Sequence, residues 1–189
     1  MHFRRAEACD ADRIAQLHAE SWRRTYRGMM RDEFLDGDVL TNRCHAWRDL
    51  MATMGAGKLV LLAEEGATLA GFICVTGDHD VLWGSYVDNL HVASTHMRRG
   101  VGRALMGHAA RWLRESYAGT SIYLWVMRAN DRARRFYETL GAANVGERSL
   151  LDPGGGSALN CRYVWRRPED LIRACEPRVA TGATLQAPA

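Results

Sequence analysis

The chain has 189 residues and a formal net charge of +3, with 47% hydrophobic and 25% charged residues, as in an ordinary soluble globular domain. It starts without a signal peptide and has no apolar run of membrane-spanning length, so we expect a cytoplasmic protein that contacts no membrane. The five cysteines form no CxxC pair and the seven histidines are dispersed, which argues against a disulfide framework or a metal site and suits a reducing compartment.

The predicted elements follow the order β-α-α-β-β-β-α-β-α-β-β. In the first half, apolar periodicity predicts the strand HFRRA, a helix capped by Asp10 (ADRIAQLHAESWRRTY) and a second helix (VLTNRCHAWRDLMATM). A hairpin and a long strand that ends in NLHV come next. The segment RGMMRDEFLDGD between the two helices is expected to be an irregular connection.

In the second half, a helix is predicted over about 101–116, followed by the strand SIYLWVM, whose nearly continuous apolar run indicates burial on both faces. Asn130 then opens the helix DRARRFYETL, Gly141 ends it, and AANVGERSLL and LNCRYVW form a final hairpin. We predict one domain over residues 1–167 and a C-terminal tail over residues 168–189. Within the tail, EDLIRAC is either flexible or docked on the domain or on a second subunit.

The segment MRRGVGRAL lies between the strand that ends in NLHV and the following helix. It places a row of backbone N–H groups at the positive end of a helix, and Gly100 and Gly102 lack side chains that would keep an anion away from them. Arg98, Arg99 and Arg103 add positive charge. The pattern indicates a pyrophosphate site; the alternative is a basic helix start with two glycines for chain reversal.

Two nucleotide-binding motifs do not match this segment. A Walker A loop needs Gly-Lys-Ser/Thr, which is absent from the sequence. A dinucleotide fingerprint needs a third glycine where Leu105 stands and an acidic residue about 20 positions further on. That acidic residue would fall in GTSIYLW, which contains none.

Four segments of the chain resemble the GNAT superfamily of N-acetyltransferases, in its small bacterial type. MRRGVG is similar to the family's coenzyme A loop, Gln/Arg-x-x-Gly-x-Gly/Ala, except that Met97 stands where the family has Gln or Arg. NLHV resembles the end of the family's fourth strand, and SWRRTYRGMM resembles its acceptor-side helix and loop. The segment NDRARRFYETLGA resembles a later family signature, with matches at Asn130, Ala133, Tyr137 and Gly141.

This resemblance implies an α/β (α+β) fold with a mixed, mostly antiparallel sheet of six to seven strands, about four flanking helices and a central splay that holds acetyl-CoA. It also implies acetyl transfer from acetyl-CoA, without a metal, to a primary amine on a small molecule, peptide or protein. Because no cysteine lies in the motifs, we expect direct transfer in a ternary complex. The alternative is a non-catalytic acyl-CoA-binding sensor or interaction domain.

The resemblance carries the cofactor contacts onto particular positions of this chain. They are Leu90, His91, Val92, Met97, Arg98, Arg99, Gly100, Val101, Gly102, Arg103, Asn130 and Ala133. Backbone groups around Leu90 and Val92 are expected to pair with the pantetheine arm, although both side chains also fit a core. The side chain of His91 is expected to face the other way and pack against a helix.

For catalysis, the resemblance implies Tyr137 as the proton donor to the departing thiolate, and the alternative is that Tyr137 only packs beneath the cofactor. Asp88, two residues before Leu90 and expected on the same face, is the candidate base; it is otherwise a strand-end residue that binds a cation or nothing. Glu20 or a water relay is the alternative base. The acceptor pocket is predicted to include Trp22, Tyr26, Glu20 and Tyr86, although aromatic residues at helical spacing also fit a core.

The basic residues cluster at the glycine-rich segment and do not form a stripe with stacking aromatic residues, so we expect no nucleic-acid partner. The expected partners are acetyl-CoA and the amine acceptor. The family resemblance also allows a homodimer, which no feature of the sequence specifies.

Overall fold

The structure is a computed structural model and describes residues 1–176. The strands are β1 (His2–Arg5), β2 (Lys58–Glu65), β3 (Thr68–Asp80), β4 (Gly84–Val92), β5 (Ile122–Met127), β6 (Ala143–Leu151) and β7 (Ser157–Trp165). The α-helices are α1 (Ala11–Thr25), α2 (Asp32–Asp36), α3 (Val39–Thr53), α4 (Val101–Ser116), α5 (Asp131–Thr139) and α6 (Pro168–Cys175).

The seven strands form one sheet in the order β1-β2-β3-β4-β5-β7-β6. Among the described strands, β4 and β5 are the one parallel pair of neighbours, and the other neighbours are antiparallel. One face of the sheet shares an apolar cluster with α4, α5 and α6, and the other face packs against α1 and α3. The predicted fold class, a mixed and mostly antiparallel sheet flanked by helices, is confirmed.

Two short helices were not expected from the sequence. α2 lies inside the predicted irregular connection and buries Leu35 between α1 and α3. α6 contains the EDLIRAC stretch and packs on α4, where Leu171 and Ile172 join the core. This packing is tight, since a Cβ added to Gly107 would lie 2.9 Å from the Cβ of Cys175. The folded chain thus continues past the predicted boundary at 167, and the last part of the predicted tail, 177–189, lies outside the described residues.

The start of α1 differs from the sequence prediction, because the side chain of Asp10 does not cap the helix. Its carboxylate accepts hydrogen bonds from the Arg4 guanidinium at 2.7 and 2.8 Å and from the Glu7 N–H at 2.9 Å. These bonds hold the pKa of Asp10 down at about 2. The residue therefore ties β1 to the segment before α1, which a capping pattern in the sequence does not reveal.

β4 and β5 separate soon after they meet. Their pairing consists of Ser85 with Ile122 and Tyr86 with Tyr123, and beyond these pairs the strands diverge. Because a strand edge without a neighbour presents free N–H and C=O groups, the rest of β4 offers an open backbone edge in the centre of the sheet.

The meeting point of β4 and β5 depends on Gly84, which has a φ of +74°. A Cβ at this position would lie 2.3 Å from the backbone oxygen of Ser121. We expect Gly84→Ala to lower the free energy of unfolding by about 2 to 4 kcal/mol, through left-handed strain and steric overlap. In Gly66→Ala, the φ of +60° is similar but the space is open, so we expect a loss of about 1 kcal/mol. Urea unfolding of both variants measures the difference, and equal losses would contradict the close approach at Ser121.

A β-bulge interrupts the pairing of β4 with β3. Cys74 pairs with Asn89 and Val75 pairs with Val87, so Asp88 has no partner residue on β3. A bulge of this kind shifts the alternation of side chains and redirects the extra residue. Here the shift places Val87 in the cluster under α4.

Across the described chain, no helix combines the length and the apolar character needed to cross a membrane.

Candidate functional site

A cavity of about 790 Å³ opens where β4 and β5 diverge. Its lining combines side chains of α1 and α3, β4, the segment before α4, β5, α5, and the loop between β6 and β7. The volume lies within the range of small-molecule sites, about 300 to 1,000 Å³. The diverging strands therefore produce a site that residues from distant parts of the sequence line together.

One end of the cavity is formed by the N-terminus of α4. Gly100 precedes the helix with a φ of +80°, and Arg98 also has a positive φ, of 61°. The first N–H groups of a helix have no partner inside it, so Val101, Gly102 and Arg103 present their N–H groups at this end. A Cβ on Gly102 would meet only ordinary contacts, at 3.5 Å from Phe136 and 3.6 Å from Val92. The fold itself therefore does not require glycine at position 102, whereas the positive φ favours it at position 100.

The three arginines of this segment have different surroundings. Arg98 lines the cavity, as does Met97. Arg103 lines it too, but its guanidinium also donates to the carbonyl of Ala174 at 2.6 Å and so connects α4 to α6. Arg99 is not part of the lining and pairs with Glu65 at 2.7 Å. The side chain of Arg99 is therefore outside the cavity, unlike those of its neighbours Arg98 and Arg103.

The open edge of β4 runs from this end toward the middle of the sheet. Leu90 and Val92 line the cavity while their side chains also pack against the cluster under α4. The guanidinium of Arg24, on α1, donates to the carbonyl of Val92 at 3.3 Å. The remaining backbone groups of this edge are available to a ligand that lies along the strand.

The side chain of His91 packs against α1. Its Nδ1 lies 2.9 Å from the hydroxyl of Ser21, and its ring centroid lies 4.3 Å from that of His18. Burial, with the neighbouring Arg24 and Arg43 charges, lowers the pKa of His91 to about 3. The imidazole is therefore neutral at physiological pH and is a poor acceptor for the proton of an ammonium group.

α5 brings three of the predicted residues to the opposite wall. Asn130 precedes the helix, and its side-chain oxygen accepts a hydrogen bond from the N–H of Ala133 at 3.1 Å. Ala133 and Tyr137 follow one helical face, and all three residues line the cavity. The cap uses the side-chain oxygen of Asn130 and not its NH₂ group.

Tyr137 lies at the inner end of this wall. The ring packs against Phe136, Tyr163 and Trp165, with centroids 5.3, 6.2 and 6.1 Å away. Burial raises the pKa of the Tyr137 hydroxyl above its ordinary value. The phenol therefore stays protonated at neutral pH and can donate a hydrogen bond or a proton.

Asp88 lies at the bulge of β4 and lines the cavity, where part of its surface is exposed. Protein atoms nevertheless surround much of the carboxyl group. This crowding raises the pKa of its carboxyl group, against the opposing effect of Lys58, Arg43 and His79. The amide of Asn89 donates to its carboxylate at 2.9 Å. A carboxylate with a raised pKa is a better proton acceptor than an ordinary aspartate.

The expectation that Asp88 shares a face with Leu90 is wrong. Regular alternation along β4 would place the two side chains together, but the bulge inserts an extra residue and gives that position to Val87. Asp88 lies instead near Cys74, whose pKa its charge helps to raise, and near Arg43. A sequence pattern does not show a bulge, because the bulge depends on the partner strand.

The predicted acceptor residues divide into two groups. Trp22, Tyr26 and Tyr86 line the cavity. Glu20 is not in the lining; it is exposed on α1, where the side-chain amide of Gln16 donates to it at 3.3 Å. This geometry gives no support to Glu20 as an alternative base.

Several lining residues were not predicted from the sequence. Those with polar or aromatic side chains are Ser21, Arg24, Thr25, Arg43, Asn89, His96, Trp125, Arg132, Phe136, Asp152 and Asn160. Arg43 lies on the second long helix, where its neighbours in the sequence give no signal of a site. Within the described residues, no group of three or more His, Cys, Asp and Glu side chains is arranged to hold a metal ion.

The profile of the acetyltransferase (GNAT) family matches residues 12–142, which is more than half of the chain. A probable N-acetyltransferase of Mycobacterium tuberculosis is 25% identical over 141 residues, covering 73% of this chain and 77% of the relative. The streptothricin acetyltransferase of Streptomyces lavendulae is 36% identical over 91 residues, covering 47% of this chain and 46% of the relative.

Among solved structures, the PaiA N-acetyltransferase of Thermoplasma acidophilum, crystallised in complex with coenzyme A, superposes with a TM-score of 0.66. The match covers 87% of this chain and 98% of that protein at 17% sequence identity. At this level of identity the likeness shows a common fold.

Proposed function

Because the chain belongs to the acetyltransferase (GNAT) family, we propose that it is an N-acetyltransferase that moves the acetyl group of acetyl-CoA directly to a primary amine. The observation that carries this proposal is the convergence of three features on one cavity: the helix N-terminus of α4, the open edge of β4, and the pair Asp88 and Tyr137.

The two ends of the cavity suit the two ends of acetyl-CoA. The N–H groups at the start of α4, together with Arg98, would hold the pyrophosphate. The pantetheine arm would lie along the open edge of β4, with Asn130 as a donor from the opposite wall. This arrangement places the thioester near the middle of β4, between Asp88 and Tyr137.

The acceptor amine must lose a proton before it attacks. An amine like that of lysine has a pKa of about 10.4, so its deprotonation at pH 7 costs about 4 to 5 kcal/mol. We propose Asp88 as the group that accepts this proton, directly or through one water molecule. The crowding that raises the pKa of Asp88 makes it better suited to the task.

The attack then forms the C–N bond, breaks the C–S bond and leaves a thiolate on coenzyme A. A backbone N–H on the open edge of β4 would stabilise the negative charge that develops on the thioester oxygen. Tyr137 would donate its phenolic proton to the thiolate, and it recovers the proton from solvent. In the part of the chain that the structure describes, no cysteine lines the cavity, which supports direct transfer over a thiol intermediate.

Binding at the α4 end is tested by a charge placed at Gly102. We expect Gly102→Asp to raise the Kd of acetyl-CoA at least about tenfold, because its carboxylate opposes the phosphate charge. The same substitution places an acid in the first turn of α4, which favours the helix dipole, so the melting temperature should not fall. Calorimetric titration measures the affinity, and Gly102→Ala, whose Cβ makes only ordinary contacts, is the control. Equal affinity of the Asp and Ala variants would contradict a phosphate site at this helix.

The proposed activity is tested by thiol release from acetyl-CoA against a panel of amines. We expect release with one class of amine and little release without an acceptor. Binding of acetyl-CoA with no release for any amine would favour the non-catalytic acyl-CoA sensor instead.

A further inference from the structure

Arg43 points a fixed positive charge into the acceptor half of the cavity. It lies on α3, is half-buried, and its guanidinium carbon is 4.3 Å from the centroid of the Trp22 ring. Its Nε donates to the side-chain oxygen of Asn42 at 3.0 Å, and one of its terminal nitrogens donates to the same oxygen. The guanidinium is thus held by stacking on one face and by hydrogen bonds at one edge, which leaves its other edge for a ligand.

No carboxylate within the described residues 1–176 pairs with this guanidinium. Among the ion pairs formed within residues 1–176, none includes Arg43. Burial lowers the pKa of Arg43, and Asp88 is the group that opposes this effect. Since a desolvated charge without a counter-charge is unfavourable, an anionic group of a ligand would be bound strongly here.

Arg43 and Asp88 are close without being in contact. Each influences the pKa of the other, yet they do not form an ion pair in the described structure; Asp88 is hydrogen-bonded to Asn89 and Arg43 to Asn42. A positive group and a negative group that face one cavity with a gap between them are complementary to a small molecule with both charges. The ammonium of such a molecule would face Asp88 and its carboxylate would face Arg43.

We propose that the acceptor is a free amino acid, or a similar amine with a carboxylate beside it, and that Arg43 binds this carboxylate while Asp88 receives the amine. This inference rests on the proposed N-acetyltransferase function and narrows its substrate class. A guanidinium is suited to the task because it pairs with a carboxylate through two parallel hydrogen bonds.

The charge of the cavity argues against a polycationic acceptor. Its acidic lining residues are Asp88 and Asp152, whereas its arginines are Arg24, Arg43, Arg98, Arg103 and Arg132. Asp152 already accepts hydrogen bonds from the backbone N–H groups of Gly154 and Gly156 at 2.8 and 3.3 Å. The five arginines outnumber the two carboxylates in the lining, and this excess of positive charge suits an acceptor that carries a carboxylate better than one that carries several ammonium groups.

The test compares free α-amino acids with their α-carboxamides as acceptors, by thiol release from acetyl-CoA. The carboxamide has the same shape and lacks the negative charge. We expect wild type to have a higher kcat/KM for the amino acid than for its carboxamide. The ratio of these two kcat/KM values should fall about 10- to 100-fold in Arg43→Gln. Arg43→Lys, which keeps the charge but not the planar fork, should lose part of the preference.

Two controls separate a binding role from a structural one. Arg48→Gln removes another arginine of α3, one that pairs with Asp12 at the surface, and should leave the ratio unchanged. Thermal melting identifies any Arg43 variant that fails to fold. If one does, Asn42→Ala takes its place: it removes the hydrogen-bond acceptor that holds the guanidinium, and it should lower the ratio of kcat/KM for the amino acid to that for the carboxamide.

The possible results test the carboxylate site separately from the proposed N-acetyltransferase function. Transfer to amides, peptides or polyamines as fast as to free amino acids would overturn the carboxylate site and leave the N-acetyltransferase function standing. If no amine is acetylated, the proposed N-acetyltransferase function is refuted. The carboxylate site at Arg43 is then tested separately, by calorimetric titration of free amino acids into the protein saturated with coenzyme A. In that titration, binding to wild type that Arg43→Gln abolishes supports the carboxylate site, and equal or absent binding overturns it.

Discussion

Asp88→Asn is expected to lower kcat about 10²- to 10⁴-fold, which is the contribution of a positioned general base. The asparagine side chain has nearly the same size and still accepts a hydrogen bond, but it cannot take a proton from the amine. The affinity for acetyl-CoA should stay close to that of wild type, because the phosphate end of the cavity is formed by α4. Steady-state kinetics and calorimetry on the same sample measure both effects.

The pH dependence gives a second readout of Asp88. Only the ionised carboxylate accepts a proton, and the structure raises its pKa, so the acid limb of kcat/KM should lie above the range of an ordinary aspartate. The limb should disappear in Asp88→Asn.

Stability should change in the opposite direction to activity. A carboxyl group whose pKa is raised on folding stabilises the fold while it is protonated, and this contribution is lost as the pH rises through the raised pKa. Asparagine carries no charge there, so Asp88→Asn should be at least as stable as wild type at neutral pH. The difference in stability between Asp88→Asn and wild type should become smaller at acid pH.

Asp152→Asn is the matched control, since Asp152 lines the same cavity and retains a side-chain oxygen for its two backbone donors. We expect less than a tenfold change in kcat for this variant. An equal loss in the two variants would mean that the total negative charge of the cavity supports the reaction and that Asp88 is not the base.

Tyr137→Phe is expected to lower kcat about 10²-fold and to leave acetyl-CoA binding intact, because it removes the proton donor and keeps the ring. The ring packs against Phe136 and Trp165, so the variant should melt close to the wild-type temperature. Since burial raises the pKa of the hydroxyl, Tyr137 should add no alkaline limb below the ordinary range of tyrosine. Thiol release and calorimetry measure the change.

The comparison for Tyr137 is Tyr163→Phe. Tyr163 lies 6.2 Å away by ring centroids, but its hydroxyl donates to Glu138 and it is not part of the cavity lining. Its loss should affect stability more than kcat. Unchanged transfer in Tyr137→Phe would limit Tyr137 to a packing role.

Features set by local sequence could be predicted well. The segment around Gly100 and Gly102 and the helix that follows Asn130 are specified by backbone preference and capping, which depend on neighbouring residues. The mixed, mostly antiparallel sheet, by contrast, followed from the family resemblance. These features fix the end of the cavity at the N-terminus of α4 and the wall that holds Tyr137.

Features set by distant contacts could not be predicted. The bulge at Asp88 depends on the register with β3, and so the side chain was assigned to the wrong face. Arg43 lies on the amphipathic helix α3, where an arginine is ordinary, and only the packing of α3 against Trp22 brings it to the cavity. α6 seats its apolar face on α4, although the composition that follows Pro168 is typical of a tail.

The most direct test of the central claim is a mass-spectrometric count of products with acetyl-CoA carrying an isotopic label in its acetyl group. Direct transfer predicts that each thiol released is matched by one labelled acetyl group on the amine, with no labelled protein at any time. Failure to bind acetyl-CoA, release without acetylated amine, or a labelled protein intermediate would contradict direct transfer in the cavity between β4 and β5.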